Sequence, residues 1–152
     1  MLSTGFRTGW GLGSYDHVER LKRRSEGFLA HASIALDRGD FDLACFYAEQ
    51  AAQLRLKALF LRMFGHIPRA HSIRALLGTL AGELAKMGKE ASSRKITDFS
   101  RINRDSLRRL EEAYTGARYL PREFDESDAR ECIETAVMLM RVLDEVEESL
   151  FA

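Results

Sequence analysis

Apolar residues recur every three or four positions along most of this chain. In the final stretch Ala129, Cys132, Ile133, Ala136, Met140, Leu143 and Leu150 form such a series. On a helix turning about 100° per residue they share one stripe. No segment of useful length alternates apolar and polar residues in the manner of a half-buried strand. Only Pro68 and Pro121 interrupt the sequence, and both fall between periodic stretches, where proline is tolerated. The spacing predicts an all-α fold, an antiparallel up-and-down four-helix bundle with an additional short helix. At 152 residues with 45% hydrophobic content, the chain suits one domain with a real core.

The pattern places a first helix over about Tyr15 to Leu36, with Val18, Leu21, Phe28 and Leu29 among its apolar positions. Residues 1–14, with glycines at 5, 9, 11 and 13, read as a flexible arm that Trp10 docks elsewhere, leaving 15–152 as the bundle. In the turn "DRGD", Gly39 suits a helix end and Asp40 a cap for the next helix. The second helix, about Phe41 to Phe64, is the most apolar and ends at Gly65. Ser72 or His71 opens a third helix reaching about Leu84. The polar stretch "AKMGKEASSRK" reads as a partly helical connector. A fourth helix from about Thr97 or Ser100 to Ala117 turns Ile102, Leu110, Ala113 and Tyr114 toward the core. Asp125 or Ser127 caps the last helix.

The net charge is zero but unevenly spread. Residues 123–152 carry ten acidic and two basic side chains, and residues 1–122 carry 13 acidic and 21 basic ones. Two faces that complement each other when packed explain this, and a basic surface for phosphates is the alternative. Cys45 and Cys132 each sit on an apolar helical stripe without metal or redox spacing, as buried thiols in a reducing cytoplasm would. No apolar run approaches the roughly 20 residues of a membrane-spanning helix, so no membrane role is expected. Neither metalloprotease, P-loop nor nucleophile-elbow motifs occur, which leaves no catalytic residue, metal or cofactor to assign.

Arg55 and Arg62 fall on the alanine stripe of the second helix, with Ala44, Ala48, Ala51 and Ala58. An unpaired charge there is prohibitive, so they pair with carboxylates or line a groove. Tyr114 and Arg118, four apart, meet on one helix face, and Tyr119 extends the group toward Pro121. Packing and a helix stop account for it; so does a base stacked on tyrosine with Arg118 on a phosphate. His71, Ser72 and Arg74 stand at a helix start, where free N–H groups can hold an anion. Lys57 lies with Gln50 and Gln53 on the more polar side of the second helix. Arg101, Arg104 and Arg108 follow helical spacing, a weak indication of RNA or DNA contact without interleaved aromatics.

From Tyr47 to Leu77 the chain reads "YAEQAAQLRLKALFLRMFGHIPRAHSIRALL". Gln50, Ala51, Lys57, Ala58 and Leu59, then Gly65 and Pro68, then His71, Ser72, Ile73, Leu76 and Leu77 resemble the signature of the HEPN domain (higher eukaryotes and prokaryotes nucleotide-binding). Tyr114, Arg118, Tyr119 and Pro121, followed by an acidic helix start, resemble that family's second block. The similarity spans about residues 15–150.

The resemblance implies a helical bundle that homodimerises. It implies either binding of a nucleotide or pairing with a small nucleotidyltransferase in a toxin–antitoxin-like two-gene module. The alternative it implies is a metal-independent ribonuclease, which carries an arginine and, after four to six intervening residues, a histidine late in the bundle. Here Arg24 and His31 have that spacing only in the first helix, and Arg62 and His66 are too close. The expectation is therefore a non-catalytic domain. Its candidate nucleotide contacts are Tyr114, Arg118 and Tyr119, with Lys57, His71 and Arg74 beside them.

Overall fold

The computed structural model describes residues 12–119 and 123–152, with side chains described over 15–114 and 123–152. Six helices occupy them: α1 (Leu12–Asp37), α2 (Phe41–Phe64), α3 (Ile73–Lys86), α4 (Glu90–Ile102), α5 (Arg104–Tyr119) and α6 (Glu126–Phe151). There is no strand among the described residues. The first helix begins three residues before the expected Tyr15. Trp10 and residues 1–11 of the expected arm lie outside the described residues.

Residue pairings fix the directions. Lys22 meets Glu147 and Ser25 meets Met140, so α1 and α6 are antiparallel. Asp42 accepts from the Phe124 backbone N–H while Arg55 reaches Asp144 and Glu147, so α2 and α6 run parallel. Lys95 meets Glu145 and Ser106 meets Glu131, so α4 and α5 together run against α6. The four rods of the up-and-down bundle are thus α1, α2, α4 with α5, and α6. The inserted short helix is α3, folded back on α4, where the Ser93 hydroxyl donates to the Ala81 carbonyl at 2.8 Å.

The expected fourth helix is a longer rod broken at one residue. Asn103 has φ −105° and ψ 24°, off helical geometry. Its side-chain amide donates to the Phe99 carbonyl at 3.0 Å, the same carbonyl its own N–H uses. Such local side-chain bonding competes with helix continuation. The break corrects one expectation: Ile102 does not face the core but is 70% exposed, while Phe99 and Leu107 take the inward positions. Leu110 and Ala113 are buried as expected.

Gly39 and Gly65 end α1 and α2 with φ of 80° and 78°, left-handed values that glycine adopts without a Cβ penalty. Ser72 caps α3 by accepting from the Ala75 N–H, and Asp125 forms a reciprocal capping box with Asp128 on α6. Asp40 holds the cap position of α2, but its carboxylate makes no cap hydrogen bond and lies near Arg38 instead.

Helix α2 is the centre of the bundle, packed against α1, α3, α5 and α6. Ala44, Ala48, Ala51, Ala52 and Ala58 are all fully buried on it. Small side chains let neighbouring backbones come close, and the Ser25 hydroxyl of α1 reaches the Ala51 carbonyl at 2.7 Å. Cys45 and Cys132 are buried free thiols in the main core. The Cys132 hydrogen bond and burial push the Cys45 thiol far up, so it stays protonated.

Candidate functional site

The loop after α2 returns the chain so that α3 starts beside the second half of α5. Glu111 of α5 exploits this. Its carboxylate accepts from the Arg74 backbone N–H at 2.9 Å, from Arg74 Nε at 2.8 Å and from the Ser72 hydroxyl at 3.2 Å. The start of α3, with its exposed N–H groups, is thus filled by an anion from within the chain. The hydrogen bond that Arg74 donates to Glu111 holds its guanidinium above its usual range.

One turn further along α5, Tyr114 lies against His71. The rings are 5.0 Å apart between centroids with 20° between their planes, a stacked pair. Tyr114 is half-buried and His71 exposed. Flat, offset-stacked surfaces of this kind accept a further aromatic ring.

Beneath them α2 contributes a polar ladder at four-residue spacing. Glu49 is fully buried. Its carboxylate accepts from Gln50 Nε2 at 2.9 Å and Gln53 Nε2 at 2.7 Å. The same Gln53 nitrogen donates to the His71 carbonyl at 2.6 Å, tying the ring pair to α2. Gln53 is 4% exposed, so the polar side expected there is interior. Its Oε1 is buried and finds no partner among the described residues. Burial pushes the Glu49 carboxyl up to about 7, against the hydrogen bonds from Gln53 and Gln50 and the charge of Lys57; the Glu111 charge adds to the rise. Lys57, one turn past Gln53, is lowered by burial, with Glu49 opposing. Among the described residues it forms no ion pair.

Three candidates from the sequence therefore come together, Tyr114 and His71 directly and Arg74 through Glu111 one turn before Tyr114, while Lys57 stands one turn past Gln53 on α2. Arg118 and Tyr119 lie on the last turn of α5, with side chains outside the described residues; Pro121 lies outside them altogether. Glu49, Gln53 and Glu111 were not among the expected site residues. The ladder of Glu49, Gln53 and Lys57 is visible in the sequence as polar residues at i, i+4 and i+8 in an alanine-rich helix. Nothing local marks Glu111, because its role comes from a helix 37 residues earlier.

Arg55 and Arg62 belong to a different place, where α1, α2 and α6 meet. Arg55, 3% exposed, reaches Asp144 at 2.8 Å and Glu147 at 2.5 Å. Glu147 also pairs with Arg62 and with Lys22, and the Arg62 guanidinium stacks 3.9 Å over the Phe151 ring. Burial alone would raise the Glu147 carboxyl. The hydrogen bond from Arg62 and the charge of Arg55 outweigh it and hold it below the usual range. The two arginines are paired with carboxylates and do not join the ring pair. The uneven charge of the sequence is accounted for in the same way, since acidic α6 also meets Lys95 and Arg109.

A family model for the HEPN domain matches residues 18–146. The chain belongs to the HEPN domain family. Two solved structures share its fold. One is TT1696 from Thermus thermophilus, at 24% identity and TM-score 0.62, covering 85% of this chain and 97% of that one. The other, described as ST0689, an archaeal HEPN homologue, has 27% identity and TM-score 0.57, covering 87% and 96%. No curated protein matches significantly. The HEPN match contains α2, α3, α4 and α5, and so includes the ring pair and the ladder below it. No described helix of this HEPN chain is long and apolar enough to cross a membrane.

Proposed function

We propose that the protein is a non-catalytic HEPN-type bundle that binds a nucleotide at the His71–Tyr114 pair. The observation that carries this reading is the stacked pair itself, partly open to solvent. A base extends the stack while Lys57, the less committed cation, attracts the phosphate. Arg118 and Tyr119 follow one turn along the α5 backbone and complete the site in this reading. Arg74 orients Glu111 and contributes only the part of its guanidinium that Glu111 leaves open. The domain acts as a homodimer in the cytoplasm, and pairing with a small nucleotidyltransferase gives the bound nucleotide its use.

Titration of ATP and GTP into the purified protein tests this. Saturable heat and amide shifts centred on His71 and Tyr114 are expected, and Tyr114→Ala weakens binding about 10-fold, the stacking energy of one base being about 1–3 kcal/mol. No heat and no shift at millimolar nucleotide would remove the reading. The ribonuclease alternative needs an arginine and a histidine free to act on one RNA phosphate. Arg74, three residues from His71, is bound to Glu111, which favours the non-catalytic version; RNA left intact by the purified protein would agree with it.

A further inference from the structure

A second groove lies on the other side of Arg74, between α3 and α4, with a volume of about 450 Å³. Its charged lining residues are Arg74, Arg101 and Arg104, with no carboxylate among the described residues that line it. The hollow at Asp40, Asp42 and Glu123 is one-sided in the opposite sense, its charged lining being acidic. The cleft around Arg55, by contrast, is lined by both signs.

The three arginines are committed to different degrees. Arg74 is fixed from behind by Glu111. Among the described residues Arg101 is held only by Asp98 at 3.4 Å, with both side chains at least half exposed, a pair of small worth that an incoming anion displaces. Arg104 makes no ion pair among the described residues. Its neighbour Arg108 is turned away to Asp105 and does not line the groove. The Asn103 break thus leaves Arg101 at the end of α4 and Arg104 at the start of α5, flanking one hollow.

The rest of the lining is neutral. Thr97 and Ser100 offer hydroxyls, and Leu77 and Ala81 make an apolar floor. At Gly78 an added Cβ would meet nothing within 4 Å, so the floor is open to a ligand.

We propose that this groove binds an organic phosphate of small-molecule size, independently of the ring pair. Guanidinium forks match phosphate oxygens in geometry and charge, the hydroxyls donate to the remaining oxygens, and the floor takes the carbon skeleton. The volume suits a small ligand.

Inorganic phosphate and phenyl phosphate, titrated at constant ionic strength and followed by amide shifts, provide the test. Shifts at Gly78, Thr97 and Ser100 are expected, with phenyl phosphate binding several-fold tighter than inorganic phosphate. Arg104→Gln and Gly78→Glu should each weaken phenyl phosphate about 10-fold or more, while Tyr114→Ala leaves it unchanged. Gly78→Glu sits on an exposed helical position in open space, and glutamate is the better helix former, so its thermal midpoint should hold or rise. Shifts confined to other surfaces, or equal affinity in wild type and both groove variants, would overturn the site. Phenyl phosphate no tighter than inorganic phosphate would overturn the organic ligand. Loss of binding with Tyr114→Ala would overturn the independence of the two sites.

Discussion

Replacing Glu49 by glutamine removes an ionisable group from the interior without removing its shape. The fully buried carboxyl is raised from 4.5 to about 7. The folded state therefore binds this proton more tightly than the unfolded state. Stability is greatest below the unfolded value, falls as pH rises from about 4.5 to about 7, and is level above that. At about 1.4 kcal/mol per tenfold change in proton affinity, the full loss is about 3 kcal/mol. Between pH 5 and 8, about 2–3 kcal/mol of it should be visible. In Glu49→Gln the new amide still accepts from Gln53, and half-buried Gln50 turns its own amide to accept from the new NH₂. The exchange of hydrogen bonds costs about 1 kcal/mol. Urea unfolding at pH 5, 6, 7 and 8 should show two profiles that cross, the wild type being more stable at pH 5 and the variant at pH 8. Glu147, whose carboxyl is held low, acts elsewhere: its contribution is present above the ordinary carboxylate value and is lost as pH falls below it. Parallel profiles for wild type and variant across pH 5–8 would refute the reasoning about Glu49.

Glu147→Ala leaves Arg55 buried without its closest partner and should cost about 3–5 kcal/mol in denaturant unfolding. Ser72→Ala removes the cap of α3 and one donor to Glu111; a loss of about 1–2 kcal/mol is expected, with calorimetric melting as the check. Ile102→Glu should change the unfolding free energy by less than about 0.5 kcal/mol because the side chain stands in solvent, whereas Leu110→Ala, on the next helix, should cost about 2–5 kcal/mol.

The four-rod architecture was legible because the apolar stripe of α6 and the alanine-rich α2 repeat over many turns. The stops were legible too. Gly39, Gly65, Ser72 and Asp125 act through their own backbones and nearest neighbours, which local sequence records. The break at Asn103 was not, since asparagine occurs inside helices and the apolar spacing continues from Phe99 to Leu107. Ile102 was misplaced for that reason. At the site, His71 and Tyr114 were both expected but their stacking was not, because 42 residues of intervening chain decide it. The burial of Glu49 and Gln53 was hidden in a different way. A helix enclosed on several sides has no polar face to read, so its few polar residues look like a surface when they are interior.

Enclosure of α2 has one more consequence. A rod surrounded by neighbours receives no orientation from water, and alanines fit almost any angle about its axis. Gln53 and Arg55, two positions and about 200° apart, remove that freedom by anchoring opposite flanks, one to the His71 carbonyl and one to Asp144 and Glu147. A small twist that improves one anchor degrades the other. The ring pair on one side of the domain and the charged cleft on the other therefore keep a common angular setting, as two hands fixed to one spindle.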